Sequence, residues 1–237
     1  MKFFWRQYRK ICWLYYFYEM LRDAPTLKKD LGQLRNIDML VKQRHNELLP
    51  YYELYISEVS GDYMAISLEF SSFLSVFCDL MRPTSIADLG TGFSSFLFRS
   101  YAAQSEQDVK VWSVDDSPEW LEKTRGFLAK QGLSDGNMGI WDRFIEGSYH
   151  GFDLILHDLG SMDIRAKTLS RVLNLVRPYG FVLLDDIHIT EYAPIAKKAL
   201  RESGFKLYSL RHYTKDKFGR FASLATKRKG IPEDRVS

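Results

Sequence analysis

The chain has 237 residues, enough for one complete α/β domain with an accessory segment, or for two small domains at most. Its hydrophobic content of 46% and charged content of 27% are typical of a soluble globular protein. The net charge of +3 is too small for the concentrated basic face of nucleic-acid-binding proteins, so we expect no nucleic-acid partner.

The sequence predicts neither a membrane span nor a secretory leader. No segment reaches the roughly 20 apolar residues that cross a bilayer, and no cleavage-site pattern follows the first apolar run. The two cysteines, Cys12 and Cys78, do not have the spacing of metal ligands. We therefore expect a cytoplasmic protein without a transmembrane segment.

Residues 1–82 have helical patterning and few strand signals, and we predict that they form a helical cap or oligomerisation segment. Within them, residues 1–22 carry many aromatic side chains between basic ones, a pattern that also suits a helix lying on a membrane surface. Aromatic residues from Trp13 to Tyr18 surround this helix on nearly all sides, which favours packing against the domain or a second copy. We therefore expect a homodimer or a higher homo-oligomer. Two further helices are predicted near residues 26–49 and 66–81.

Residues 83–237 alternate short apolar runs with amphipathic segments, a pattern typical of βαβ units and a parallel sheet. Residues 205–212 and 221–226 flank a polar connection and predict a hairpin, and hence an antiparallel edge on that sheet. The other strands are predicted near residues 85–89, 109–115, 138–142, 152–158 and 180–186. Helices are predicted near residues 93–104, 117–131, 164–176 and 191–203.

The first predicted strand ends in Asp88 and turns through Gly90, Thr91 and Gly92 into a helix. Glycines let the backbone approach a ligand closely, and the start of the helix offers unpaired N–H groups there. A dinucleotide-binding loop would have a third glycine where this chain has Ser95. Asp88 would repel a pyrophosphate but suits a ligand with an ammonium group. The loop therefore favours S-adenosylmethionine (SAM) over NAD.

The second predicted strand ends in Asp115 and Asp116, and a serine and a proline then start a helix as its N-cap and first turn. Asp115 lies 23 residues after Gly92, close to the roughly 20-residue offset at which a second-strand acid binds a ribose. The alternation of the strand favours Asp115 for this role over Asp116.

Four segments together resemble the class I SAM-dependent methyltransferases over roughly residues 85–226. They are Asp88-Leu-Gly-Thr-Gly-Phe-Ser-Ser95, Val114-Asp-Asp-Ser-Pro-Glu-Trp120, Phe152-Asp-Leu-Ile-Leu-His-Asp158 and Arg177-Pro-Tyr-Gly-Phe-Val-Leu-Leu-Asp-Asp-Ile187. The resemblance implies a Rossmann-like, doubly wound α/β fold with a seven-stranded sheet whose last strand is antiparallel.

The same resemblance implies where SAM lies. Asp88, Gly90 and Gly92 would surround its methionine end, and Asp115 would hold the ribose. Around the adenine the resemblance implies Trp120, Trp141 and Asp142.

Asp158, after the fourth predicted strand, and Asp185 and Asp186, after the fifth, look like the metal-binding acids of Mg²⁺-dependent small-molecule and sugar O-methyltransferases. Three carboxylates at the carboxyl ends of parallel strands can hold a hard cation. Such an ion would bind acceptor oxygens and lower the pKa of a hydroxyl. Alternatively the acids have no metal and are partnered by a substrate amine or a neighbouring basic residue, because unpaired buried acids are costly.

Two positions depart from the metal-dependent patterns. Ser161 stands where the sugar-modifying enzymes have a histidine, and Ile187 stands where the catechol type has an amide. His188 is the candidate general base in their place, and with Asp158 it completes the predicted catalytic residues.

The predicted function is methyl transfer from SAM to a small-molecule acceptor, with a hydroxyl oxygen as the favoured target and Mg²⁺ as a candidate second cofactor. Positioning supplies much of the rate of such a reaction, because the sulfonium already activates the methyl group. One alternative is a non-catalytic SAM-binding module whose aromatic N-terminus serves as an interaction arm. The other is a NAD-dependent oxidoreductase, which the missing third glycine and Asp88 disfavour.

Overall fold

The computed structural model describes residues 22–227. The helix predicted over residues 1–22, with its expected role at a membrane surface or between subunits, lies outside the described residues except for Arg22. Within residues 22–227, no helix has the length and apolar character needed to cross a membrane.

The N-terminal region is helical, as predicted, but it is divided differently. The helix predicted over residues 26–49 is interrupted, because Gly32 begins a short 3₁₀ helix and glycine is disfavoured in helix interiors. The next helix continues through Pro50, since Tyr52 and Tyr55 beyond it are buried against the rest of the protein. The helices of this region are α1 (residues 22–30), the 3₁₀ helix Gly32–Leu34, α2 (Ile37–Glu58) and α3 (Leu68–Met81).

Seven strands form one sheet in the order β3-β2-β1-β4-β5-β7-β6. The first five in this order are parallel, and β7 runs antiparallel to both β5 and β6. This confirms the predicted doubly wound sheet with its antiparallel last strand. The strands are β1 (Ser85–Leu89), β2 (Lys110–Asp115), β3 (Met138–Ile140), β4 (Phe152–His157), β5 (Val176–Leu184), β6 (Lys206–Ser209) and β7 (Ser223–Thr226).

Helices cover both faces of the sheet. They are α4 (Phe93–Gln104), α5 (Pro118–Lys130), α6 (Trp141–Glu146), α7 (Met162–Leu175), α8 (Ala193–Glu202) and α9 (Arg211–Thr214) in addition to α1–α3. Ile86 and Leu156 face a core shared with α1–α5, whereas Ala87 and Leu184 face α6–α8. The helices before residue 82 thus share a core with the sheet, while a domain boundary at residue 82 stays a prediction.

Four neighbouring parallel strands end at the same level. Leu89 lies opposite Val114 on one side and His157 on the other, and His157 lies opposite Leu184. The segments that follow these strands therefore emerge along one edge of the sheet. In open α/β sheets this carboxyl edge is where ligands bind.

Candidate functional site

A cavity of about 390 Å³ opens at this edge, and its volume is within the range of small-molecule sites. It lies between the glycine loop (residues 90–92), the segments that follow β2, β4 and β5, and the α2–α3 connection. The predicted site residues that line it are Gly90, Thr91, Gly92, Asp115, Asp116, Trp120, Asp158, Asp185, Asp186 and His188. The structure brings these side chains together, whereas Asp88, Trp141 and Asp142 do not line the cavity.

Gly90 lets the glycine loop approach the end of β4. Its φ of +107° favours glycine, and a Cβ atom there would lie 2.4 Å from the carbonyl oxygen of Asp158. The Gly90 N–H donates to the carbonyl of Val114 over 2.8 Å, and the Asp158 N–H donates to the carbonyl of Leu89 over 2.7 Å. The loop is therefore fixed between β2 and β4, and α4 begins directly after it with its unpaired N–H groups beside the cavity.

Asp88 does not line the cavity, and its contact with a cofactor ammonium group stays a prediction. Its side chain is fully buried, and its carboxylate accepts hydrogen bonds from the hydroxyls of Ser94, Ser95 and Ser113. Burial raises the pKa of Asp88 to about 6. Ser94 and Ser95 lie in the first turn of α4, so their hydroxyls reach back past the glycines. Asp88 therefore fixes the start of α4.

Asp115 and Trp120 hold the glycine loop from the side of β2. One carboxylate oxygen of Asp115 accepts from the N–H and the hydroxyl of Thr91, at 2.7 and 2.9 Å, and the other accepts from the N–H of Ser117 at 2.9 Å. The indole N–H of Trp120 donates to the Thr91 carbonyl. Burial raises the pKa of Asp115 above its usual value. Both side chains line the cavity and at the same time determine the conformation of the loop.

Asp116 reaches across the cavity toward the β4–α7 connection. A Cβ atom on Gly160, whose φ is +54°, would lie 2.6 Å from a carboxylate oxygen of Asp116. Within residues 22–227, the structure shows no hydrogen bond to the Asp116 carboxylate. Asp116 therefore keeps more acceptor capacity for a ligand than Asp115 does.

Tyr55 is a cavity residue that the sequence did not single out. It lies on α2, and its side chain packs on Phe93 and Phe127 at ring distances of 5.3 and 5.0 Å. Its hydroxyl is buried and has no hydrogen-bond partner among the residues that the structure describes. A Cβ atom on Gly92 would lie 3.0 Å from this hydroxyl. Burial raises the pKa of Tyr55, so the hydroxyl stays protonated and can donate. A buried donor without a partner beside the glycine loop is what a polar ligand group would satisfy.

The three predicted acids converge at the other end of the cavity. Carboxylate oxygens of Asp158, Asp185 and Asp186 all lie within 4.8 Å of one another. Burial raises the pKa of Asp158 well above its usual value, and burial together with the neighbouring Asp186 raises the pKa of Asp185 to about 7. Asp186 has a φ of +53°, an uncommon conformation for a residue other than glycine. This concentration of buried negative charge needs a positive partner.

Arg165, on the first turn of α7, is that partner within the described part of the chain. Its guanidinium contacts Asp158 and lies 3.3 Å from Asp186, measured from Nη1 to Oδ2. Its side chain is 8% exposed, and its Nε has no hydrogen-bond partner among the described residues. A neighbouring basic residue was one of the partners that the sequence allowed for the acids, and in the structure this residue is Arg165.

His188 follows the acids and also lines the cavity. Its Nδ1 lies 3.7 Å from a carboxylate oxygen of Asp186 and has no hydrogen-bond partner within residues 22–227. Burial lowers the pKa of His188, although Asp186 acts in the opposite direction. The imidazole is therefore neutral at pH 7 and can accept a proton.

Arg220 closes the wall of the cavity beyond His188. It pairs with Asp216 over 2.6 Å and donates to the carbonyls of Tyr63 and Ala65 in the α2–α3 connection. These bonds tie the segment before β7 to the N-terminal helices. Arg220 thus carries a second positive charge near the acids, and no local sequence pattern had indicated it.

Trp141 and Asp142 lie elsewhere, because the strand predicted over residues 138–142 ends at Ile140 and α6 begins at Trp141. The helical turn places the Trp141 ring in the core, 6.1 Å from the ring of Phe144. The expected contact of these two residues with an adenine has no support in this arrangement.

No family model matches this sequence, and no curated protein matches it. Solved structures do share the fold. Cofactor-bound Rv0187 from MTB has a TM-score of 0.59 and 17% identity, covering 76% of this chain and 91% of that one. The O-methyltransferase from Bacillus cereus in complex with SAH has a TM-score of 0.55 and 15% identity, covering 77% and 89%. The O-methyltransferase TomG from Streptomyces achromogenes in complex with SAM has a TM-score of 0.54 and 15% identity, covering 84% and 95%.

Proposed function

We propose that this chain binds SAM in the cavity and transfers its methyl group to the hydroxyl oxygen of a small molecule. The observation that carries the proposal is the glycine loop beside the buried Tyr55 hydroxyl, which has no hydrogen-bond partner within residues 22–227. The cavity continues from there to the acids and His188. The fold shared with O-methyltransferases that were solved with SAM or SAH supports the same conclusion.

The residues fit SAM from one end of the cavity to the other. The N–H groups at the start of α4 and the Tyr55 hydroxyl are donors for the carboxylate of its methionine end. Asp115 and Asp116 are acceptors for the ribose hydroxyls, and Asp116 has the greater free capacity. Trp120 offers an aromatic side chain next to them for the adenine.

SAM, when bound, supplies a methyl group that its sulfonium already activates. The bond from sulfur to the methyl carbon breaks as the bond from the acceptor oxygen to that carbon forms, and S-adenosylhomocysteine (SAH) is left. His188 accepts the proton of the acceptor hydroxyl, since its lowered pKa keeps the imidazole neutral. Asp186 lies close enough to orient the imidazole and to stabilise its protonated form.

Asp158, Asp185 and Asp186 offer the oxygen donors that Mg²⁺ prefers. With Arg165 in contact with two of these three acids, however, the cluster does not fit a divalent cation. No step of the proposed reaction depends on a metal.

A cytoplasmic location and a homo-oligomer are further parts of the proposal. In α2, Met39, Tyr51 and Leu54 are exposed apolar side chains, a feature that suits contact with a second copy of the chain. Light scattering coupled to size-exclusion chromatography tests the oligomer, and a monomer of the full chain would contradict it.

Turnover is tested by measuring SAH release from SAM with a panel of catechols, hydroxylated aromatic acids and sugars. The proposal expects SAH formation that depends on one acceptor class and a product heavier by one methylene unit. Binding of SAM without release of SAH from any acceptor would favour the non-catalytic alternative.

A further inference from the structure

Arg165 is positioned by the helix that follows β4. Ser161 caps α7, its carbonyl accepts from the Arg165 N–H over 2.9 Å, and Arg165 therefore lies in the first turn. Side chains of a helix lean toward its N-terminus. The Arg165 side chain consequently points back toward the end of β4, where Asp158 lies, and toward the end of β5, where Asp186 lies.

This position is unfavourable for a cation unless the acids hold it there. The start of a helix carries a partial positive charge, which repels a guanidinium, and a buried charge requires a paired partner. Burial by itself would lower the pKa of Arg165, but Asp158, Asp185 and Asp186 together raise it. The guanidinium therefore remains charged and compensates acids from two different strands.

A divalent cation in the same cluster would likewise compensate the negative charge of the carboxylates. It would have to compensate Asp158 and Asp186 at the place where the guanidinium contacts them, and two adjacent buried cations repel one another. The guanidinium and a divalent cation therefore compete for the same carboxylate oxygens. Since Arg165 is part of the covalent chain, it has the advantage of permanent proximity.

We propose that Arg165 takes the place of a divalent metal ion in this chain, so that a guanidinium joins Asp158 to Asp186 and methyl transfer proceeds without a metal. The proposal rests on the proposed function for its reaction, but the binding property stands apart from it. Arg165 is a positioning residue, because its guanidinium contacts the acids and holds Asp158 and Asp186 in place.

Mn²⁺ binding to the full chain, followed by electron paramagnetic resonance, tests this proposal without any acceptor. We expect the wild-type protein to show no saturable binding at millimolar Mn²⁺, and EDTA to leave its thermal midpoint unchanged. Arg165→Met removes the charge at similar length and should bind one Mn²⁺ saturably, with a Kd at least about tenfold below the highest Mn²⁺ concentration at which wild type shows no saturable binding. Adding Asp158→Asn to this variant should abolish the gained binding.

Arg171→Met is the matched control, because Arg171 lies on the same helix and donates instead to the carbonyl of Ile145. It should gain no Mn²⁺ binding. Saturable binding to the wild type that Asp158→Asn removes would overturn the proposal, as would an Arg165→Met protein that folds but gains no binding. If Arg165→Met does not fold, wild type and Arg165→Lys decide: the proposal requires both to lack the Mn²⁺ site.

A titration of the same preparations with SAH separates the two proposals. Wild-type protein that binds SAH but also binds Mn²⁺ at the acids would overturn the role of Arg165 alone. Protein that binds neither would contradict the proposed function and leave the role of Arg165 supported.

Discussion

In the half of the cavity around the glycine loop, the polar groups are held mainly by partners inside the protein, whereas the half around the acids keeps several without one. Asp115 accepts from Thr91 and Ser117, and behind the loop the buried Asp88 accepts from three serine hydroxyls. At the other end the Nδ1 of His188 and the Nε of Arg165 are buried without a hydrogen-bond partner among the described residues.

This difference indicates two ways of preparing a site. The glycine-loop half is preorganised, so a ligand there finds its backbone donors already in place and little ordering remains to be done on binding. The acid half holds negative charge that is only partly compensated, and a bound acceptor would complete the set of partners around the acids. The hydroxyl of Tyr55 and the carboxylate of Asp116 are the exceptions in the first half, because neither has a hydrogen-bond partner among the described residues.

The largest effect is expected for Gly90→Ala, which disrupts the preorganised glycine-loop half of the cavity. An added Cβ would meet the Asp158 carbonyl at 2.4 Å in a backbone conformation with φ of +107°. We expect a loss of about 3 kcal/mol in the free energy of unfolding and of about 100-fold or more in SAH affinity. Urea unfolding and calorimetric titration measure the two quantities.

Gly126→Ala is the control for this change, because Gly126 lies within α5 and an added Cβ there has open space. It should raise the free energy of unfolding by about 0.5–1 kcal/mol and leave SAH affinity unchanged. A Gly90→Ala protein as stable as wild type, with normal SAH binding, would show that the loop is not built as described.

A smaller effect is expected for Tyr55→Phe, which tests the role of the buried Tyr55 hydroxyl in ligand binding. Removing a buried hydroxyl without a partner should leave the ligand-free protein equally stable, or more stable by about 1 kcal/mol. SAH affinity should fall by about tenfold, because the ligand loses a donor. Tyr52→Phe on the same helix removes the hydrogen bond to Asp62 and should lower stability by about 1 kcal/mol without affecting SAH affinity. Unchanged SAH affinity in Tyr55→Phe would remove this residue from the site.

The smallest effect concerns the pH dependence of methyl transfer in the acid half. A base must be neutral to accept a proton, and burial lowers the pKa of His188 below its usual value of about 6.5. Activity should therefore persist as the pH falls to 6.5 and decline only below it, so that more than half of the maximal kcat/KM remains at pH 6.5. His188→Gln should lower the rate and remove this acid limb. An acid limb that survives in His188→Gln would exclude His188 as the base.

The same division explains what the sequence could predict. The glycine loop, the acids at the strand ends and the alternation of strands and helices are local patterns, and the parallel sheet with its antiparallel edge follows from them. Gly90, Asp158 and His188 are examples of residues that line the cavity as expected.

Residues that depend on contacts distant in sequence escaped prediction. Tyr55 and Arg220 reach the cavity from α2 and from the segment before β7, and their spacing along the chain has no period that marks them. Asp88 is separated from α4 by glycines, yet the serine side chains of α4 turn back to it. The predicted strand over residues 138–142 wrongly included Trp141, which begins α6. The observed strand β3 has only three residues, too few for the alternation of side chains to show where the strand ends.

SAM binding in the cavity is tested most directly by a calorimetric titration of the full wild-type chain with SAH, with NAD as the comparison ligand. We expect one SAH site per chain with a micromolar Kd, and no binding of NAD. A folded protein that gives no heat with either SAH or SAM, or that binds NAD instead, would contradict it.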